Sequence, residues 1–148
     1  MTNGATGLLF LISFTFLEPN DEVVFFRPFF QPYEINSKMA RATRRYVELR
    51  PTNNEKWEID FEELEAKINE KTKILIINSP HNPTGKVFEK WELEKIASVV
   101  KRFPNLIVVA DEVYEKSVYT NNGFLSRFAS LEGMFDRTIS VLSAGKVM

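Results

Sequence analysis

Cysteine is absent from the 148 residues, and histidine occurs once, at position 81. The first absence removes a disulfide framework, a zinc-cysteine site and a thiol nucleophile together. The second removes any multi-histidine metal centre, so no metal site is expected. Charge of one sign is also missing: 19 Lys plus Arg face 20 Asp plus Glu, for a formal net charge of -1. Without a sustained basic block to track a phosphate backbone, nucleic acid is not an expected partner. Neither a Gly-x-Gly-x-x-Gly fingerprint nor a Gly-Lys-Ser/Thr phosphate loop occurs, since Gly145-Lys146 runs into Val147, which weighs against a nucleotide-binding domain. Long apolar runs are missing too. The longest, Leu8 to Leu17, is interrupted by Ser13 and Thr15 and is too short to cross a bilayer. It stands where a signal peptide would, yet no basic residue precedes it and no small-residue cleavage pattern follows in Glu18-Pro19-Asn20-Asp21. The run is therefore read as a buried helix, and no membrane association is expected.

What is present alternates. Short runs rich in β-branched and aromatic residues predict strands at Glu22 to Phe26, Arg45 to Leu49, Lys73 to Ile77, Leu106 to Ala110 and Thr138 to Leu142. Between them, helices are expected over Thr6 to Leu17, Pro32 to Ala42, Phe61 to Lys71 and Glu89 to Phe103. Asp60, with Glu63 three residues on, reads as an N-cap and capping-box pair opening the third helix. In the fourth, Trp91, Leu93, Ile96, Val99 and Val100 recur at helical spacing as a core-facing stripe, opposite Glu89, Lys90, Glu94, Lys95 and Lys101. Strands apolar throughout, separated by amphipathic helices, mean an α/β fold: a mostly parallel sheet with helices on both faces, without internal repeat or linker. In such sheets the ligand site lies beyond the carboxyl ends of the strands.

Polar residues follow three of the expected strands. After Ile76-Ile77 comes Asn78-Ser79-Pro80-His81-Asn82-Pro83-Thr84-Gly85; after Val108-Val109-Ala110 comes Asp111-Glu112-Val113-Tyr114; after Ser140-Val141-Leu142 comes Ser143-Ala144-Gly145-Lys146. Each alone has an ordinary explanation, in turn chemistry at Asn82, helix capping at Asp111 and solvation at Lys146. Together they place an amide, a carboxylate with a phenol, and a lysine at one sheet edge. The chemistry that needs this set is a lysine amine condensing with an aldehyde cofactor as a Schiff base. A carboxylate beside the cofactor's pyridine nitrogen keeps that nitrogen protonated.

The order Asn-Pro-Thr-Gly, Asp-x-x-Tyr, Ser-x-x-Lys resembles the class I aminotransferases of fold type I. Phe29-Phe30-Gln31-Pro32-Tyr33-Glu34 and Ser143-Ala144-Gly145-Lys146 look most similar to the branch containing kynurenine aminotransferase, glutamine transaminase K and cysteine-conjugate β-lyase. The resemblance implies pyridoxal 5'-phosphate as cofactor, with Lys146 as its covalent attachment and as the acid and base of the proton transfer. It implies Asp111 at the pyridine nitrogen, Asn82 and Tyr114 at the ring hydroxyl, and Phe30 stacked on the ring, where a core phenylalanine is the competing reading. Ser143 would contact the phosphate, as would the backbones of Ala5 and Thr6 at the start of the first helix, a helix N-terminus being suited to a dianion. His81 is read as a loop residue at the pocket edge without a catalytic role, and Trp57 and Trp91 as packing residues.

The resemblance further implies that residues 1–148 are part of a cofactor-binding large domain, without the small domain and N-terminal segment of the family. Five strands in spatial order 2-1-3-4-5 are expected, with Thr138 to Leu142 as an unpaired edge prone to association. Implied partners are an amino acid, aromatic or sulfur-containing or glutamine, and a 2-oxo acid. A homodimer is implied as well, in the cytoplasm, or in mitochondria where a transit peptide precedes the chain. The alternative is a catalytically incomplete fragment that binds cofactor or a partner without turnover.

Overall fold

The computed structural model describes residues 2–53, 56–119 and 124–146. Its centre is a mostly parallel sheet. The strands are β1 (Glu22–Arg27), β2 (Thr43–Pro51), β3 (Trp57–Ile59), β4 (Thr72–Asn78), β5 (Ile107–Asp111) and β6 (Thr138–Val141), in spatial order β3-β2-β1-β4-β5-β6. The helices are α1 (Gly4–Phe16), α2 (Pro32–Met39), α3 (Phe61–Lys67) and α4 (Lys90–Lys101).

Alternation along the strands sends side chains to two cores. Val24 and Phe26 of β1, Leu75 and Ile77 of β4, and Val108 and Ala110 of β5 meet Leu64 of α3 and Leu93, Ile96 and Val100 of α4. Val23 and Phe25, Ile74 and Ile76, and Val109 meet Leu9 and Ile12 of α1 and Tyr33 of α2 on the opposite face. Each fully buried aliphatic or aromatic side chain contributes about 1.5–3 kcal/mol relative to exposure. The same period carries on past the apolar residues. Asn78 follows Ile76 by two positions and Asp111 follows Val109 by two, so both carry their side chains to the α1/α2 face. β4 and β5 pair with Asn78 opposite Asp111, and β5 and β6 with Asp111 opposite Val141, so the three strands end level. The chain runs outward from β1 to β2 and returns to the other side of β1 at β4, which makes the crevice beyond β1 and β4 the topological switch point.

The sheet departs from the expected five strands by one. Trp57–Ile59 pairs antiparallel with Leu49–Pro51, extending the outer edge beyond β2. Three residues are too few for a periodic signal, which is why sequence pattern passed over β3. The five parallel strands keep the expected sequence of neighbours, and β6 lies at the sheet edge.

The buried reading of the first helix needs correction. α1 buries Leu9, Ile12 and Ser13, yet Phe10, Leu11 and Phe14 remain 40%, 50% and 46% exposed. A helix apolar on all sides gives no periodic cue to which side faces the sheet. Trp91 also leaves the expected core stripe of α4. It is 49% exposed, its ring is tilted against Phe61, and its indole N–H donates to Glu89. The buried position beside it belongs to Glu92, which accepts from the Glu89 N–H in a capping box and from Lys86 Nζ at 2.7 Å. At α3 the expected box is half formed: Asp60 accepts from the Glu63 N–H at 3.0 Å, while the Glu63 carboxylate turns to the Glu48 N–H of β2. Among the described residues, no helix is long and apolar enough to cross a membrane.

Candidate functional site

A cavity of about 300 Å³ lies at the carboxyl edge of the sheet, on the α1/α2 face. That is at the small end of the usual range for cofactor and ligand pockets. Its wall is assembled from five places in the chain: Gly4, Ala5 and Thr6 at the start of α1; Phe30 and Tyr33 at the entry of α2; Asn78 and Asn82 after β4; Asp111, Val113 and Tyr114 after β5; Ser143, Gly145 and Lys146 after β6. All eight side chains or backbones singled out in the sequence, namely Ala5, Thr6, Phe30, Asn82, Asp111, Tyr114, Ser143 and Lys146, thus border one space.

Asp111 is the most constrained of them. It is 3% exposed, and burial pushes its carboxyl above the ordinary aspartate range, opposed by a hydrogen bond from Tyr33 and a weaker one from the Val113 N–H. Tyr33 Oη donates to Oδ2 at 2.5 Å, whereas Val113 N approaches Oδ1 only to 3.4 Å. Oδ1 therefore retains capacity for a strong donor. Tyr33 is itself buried, and burial followed by the Asp111 charge raises its phenol well above the ordinary tyrosine value.

Asn78 fixes the level of the neighbouring loops. Its Nδ2 donates to the Asp111 carbonyl at 2.9 Å, and its Oδ1 accepts from the Asn82 N–H at 2.7 Å. One buried amide thereby ties the Asn82 loop to the end of β5. Tyr114 is half-buried and lies under Lys146, whose Nζ stands 5.4 Å from the ring centroid. Lys146 is exposed and follows a turn in which its N–H faces the Ser143 carbonyl at 3.4 Å. Among the described residues, no side-chain hydrogen bond engages the Asn82 amide, the Tyr114 hydroxyl or the Lys146 ammonium. Behind this edge, Arg127 pairs with the buried Glu112 at 2.7 Å and also with Glu115, holding the segment on both sides of Tyr114.

The start of α1 has a backbone cause. Gly4 enters α1 at φ 84°, a left-handed conformation that glycine adopts without steric cost. Asn3 supplies no side-chain cap, and Ala5 and Thr6, whose N–H groups have no intrahelical acceptor, border the cavity.

Two residues of this site escaped the sequence reading. Tyr33 entered only within the Phe29 to Glu34 resemblance, without a role of its own, and Asn78 only as the first residue of the polar stretch after the third expected strand. The signal for Asn78 was its two-residue spacing from Ile76, which sets its face. Tyr33 carried no comparable signal, because its partner lies 78 positions away in the sequence. His81 is corrected in the opposite direction. It does not border the cavity but is buried at 4% exposure, with Nδ1 against Thr84 Oγ1 at 2.8 Å, and burial together with the Lys86 charge lowers its pKa to about 4. Trp57 packs partly buried against the α3/α4 core, as a packing residue should.

Fold and site together define a doubly wound α/β unit with a lysine-bearing ligand cavity at the carboxyl edge of its sheet. The family description "Aminotransferase class I and II" matches residues 1–148, and the chain belongs to that family. It is 43% identical over 153 aligned residues to the bovine kynurenine-oxoglutarate transaminase 3, covering 99% of this chain and 33% of that protein. Among solved structures, the N-succinyldiaminopimelate aminotransferase of Mycobacterium tuberculosis superposes with a TM-score of 0.92 at 39% identity, over 98% of this chain and 37% of the other. Cystalysin from Treponema denticola, whose structure contains a pyridoxal 5'-phosphate cofactor, superposes at 0.85 with 27% identity, over 97% of this chain and 37% of its own. The chain thus spans about a third of the length of the curated relatives it matches.

Proposed function

We propose that this chain is the lysine-bearing part of the cofactor domain of a pyridoxal 5'-phosphate-dependent aminotransferase. On this reading the complete protein moves an amino group between a 2-oxo acid and an aromatic or sulfur-containing amino acid or glutamine. The observation that carries the reading is the buried Asp111 carboxylate. It borders the same cavity as Lys146 with Oδ1 only weakly engaged, and burial makes its charge costly unless a cation meets it. A protonated pyridine ring is a planar cation of suitable size. The donor set fits the rest of the group: free amide and phenol donors at Asn82 and Tyr114 for a ring hydroxyl, and Ser143 with the α1 N-terminus for a phosphate dianion.

Bound there, the cofactor supplies an electron-withdrawing ring that stabilises negative charge at an attached amino acid carbon. The remaining work belongs to the protein. Asp111 Oδ1 holds a proton at the ring nitrogen by ion pairing. Asn82 Nδ2 and Tyr114 Oη orient the ring hydroxyl. Phe30, edge-to-face with Tyr33 at a centroid distance of 5.7 Å, closes one side against water. Lys146 Nζ would be the covalent anchor at rest, and as the free amine at the cavity wall, once the substrate amine has taken its place, it would accept the proton from the amino acid's α-carbon and return it elsewhere.

The kynurenine transaminases among the relatives support an amino acid and a 2-oxo acid as partners, and a homodimer is the assembly proposed for the complete protein. The test is spectroscopic. Pyridoxal 5'-phosphate added to the purified chain gives a visible absorption band that Lys146→Ala abolishes. Folded protein without such a band, or a band that survives Lys146→Ala, refutes the assignment.

A further inference from the structure

We infer that Tyr33 is a positioning residue for Asp111: its phenol holds the carboxylate so that Oδ1 faces the ring nitrogen and the proton of that pair stays on nitrogen. This rests on the proposed function and adds to it a residue acting on the cofactor through another side chain.

The two groups meet across the fold. Tyr33 is the second residue of α2, and Asp111 is the last of β5. The Oη to Oδ2 distance of 2.5 Å is that of a charge-assisted hydrogen bond between oxygens. An ionised carboxylate only accepts, so the phenol is the donor. Its own proton is secure, since burial and the facing charge hold it well above the ordinary tyrosine range. Oδ2 is thereby occupied permanently, and rotation of the carboxylate would break the bond. Oδ1, with only the distant Val113 N–H, is the oxygen left for a ligand.

The placement of Tyr33 has a second consequence. Its N–H bonds to the Phe30 carbonyl at 3.1 Å and its ring meets Phe30 edge-to-face. The turn into α2 therefore sets two things at once: the aromatic wall beside the ring, and the orientation of the acid at its nitrogen. Phe25, at 6.2 Å between centroids, backs the Tyr33 ring from β1. Tyr33→Phe keeps these ring contacts and deletes only the donor.

Two readouts separate this inference from the functional reading beneath it. In the chain without added cofactor, the Asp111 carboxyl is titrated by infrared difference against Asp111→Asn. A lost donor to the charged form raises its midpoint, so Tyr33→Phe is expected to move it up by about one pH unit. In the chain loaded with pyridoxal 5'-phosphate isotopically labelled at the ring nitrogen, magnetic resonance reports where the proton sits. There Tyr33→Phe is expected to move the nitrogen signal from the pyridinium value towards neutral pyridine. The ratio of nitrogen-bound to oxygen-bound proton falls about tenfold, and the substitution adds nothing in an Asp111→Asn background. An Asp111 midpoint unmoved by Tyr33→Phe overturns the inference whatever the cofactor does. A shifted midpoint with an unmoved nitrogen signal in the loaded chain overturns the positioning role alone. Folded parent chain that takes up no cofactor overturns the functional reading, and with it this inference.

Discussion

Removing the Glu92 carboxylate should cost the fold more than any exposed substitution, because that one side chain does two jobs in a dry place. Its Oε2 accepts from the Glu89 N–H at 2.8 Å, closing the first turn of α4, and its Oε1 meets Lys86 Nζ at 2.7 Å. The side chains of Lys86 and Glu92 are 9% and 3% exposed. Loss of an N-terminal cap costs about 1 kcal/mol. Leaving one partner of a buried ion pair uncompensated costs about 3–5 kcal/mol. The Trp57 carbonyl remains 2.7 Å from Lys86 Nζ, so the lower end of that range applies. Glu92→Ala is thus expected to destabilise by about 4 kcal/mol, a large share of a typical domain's 5–15 kcal/mol. Glu92→Gln has a single carbonyl oxygen and so keeps an acceptor for the cap or for the lysine but not for both; it should lose somewhat less than Glu92→Ala, about 3 kcal/mol. Lys86→Met combined with Glu92→Gln should return to within about 1 kcal/mol of the parent, since no charge is then stranded. Urea unfolding followed by circular dichroism measures all three. A Glu92→Ala variant within about 1 kcal/mol of the parent, or a double variant worse than Glu92→Ala, refutes the reasoning. The consequence reaches the site, because the Lys86 carbonyl accepts from the His81 N–H and closes the loop that carries Asn82.

Other outcomes follow from the same electrostatics. His81 has a folded pKa of about 4 against 6.5 unperturbed, so the unfolded chain binds a proton between those values and the folded chain does not. Its contribution is complete above pH 6.5 and declines as pH falls to about 4, by about 3 kcal/mol in all. Denaturant melts across that window should show the slope, and His81→Gln should flatten it. Asp111 is raised by burial, so its ionised form opposes folding at neutral pH. Asp111→Asn should stabilise the cofactor-free chain by roughly 1 kcal/mol while weakening pyridoxal 5'-phosphate binding at least tenfold. Paired thermal melts and cofactor titrations check both signs.

The parallel sheet was legible because β1, β4 and β5 are short, apolar throughout and bounded by turn residues, and because their spacing left room only for crossover helices. The strand-end residues were legible for a related reason: Asn82, Asp111 and Lys146 follow consecutive apolar runs, so topology alone brings them to one edge. Contacts between side chains distant in sequence were not. Tyr33 belongs to a stretch dense in aromatics, where a buried phenol and a buried phenyl read alike, and only the folded chain pairs it with Asp111. Glu92 was assigned to neither face of the fourth helix, since a period of 3.6 cannot reveal that Lys86 bends back over the first turn of α4. β3 and the exposed side of α1 were hidden for opposite reasons, one being too short to show a period and the other too uniformly apolar to show a face. His81 was drawn towards the pocket by its neighbours in sequence, whereas the loop folds its ring inward to Thr84.

The most direct test of the central claim is to locate the covalent attachment. The chain is incubated with pyridoxal 5'-phosphate, reduced with borohydride so that a lysine-bound cofactor becomes permanent, digested and mapped by mass spectrometry. The account predicts the adduct on Lys146, lost in Lys146→Ala and diminished in Asp111→Asn. An adduct spread evenly over exposed lysines such as Lys90 and Lys101, or undiminished labelling of Lys146→Ala, would contradict it.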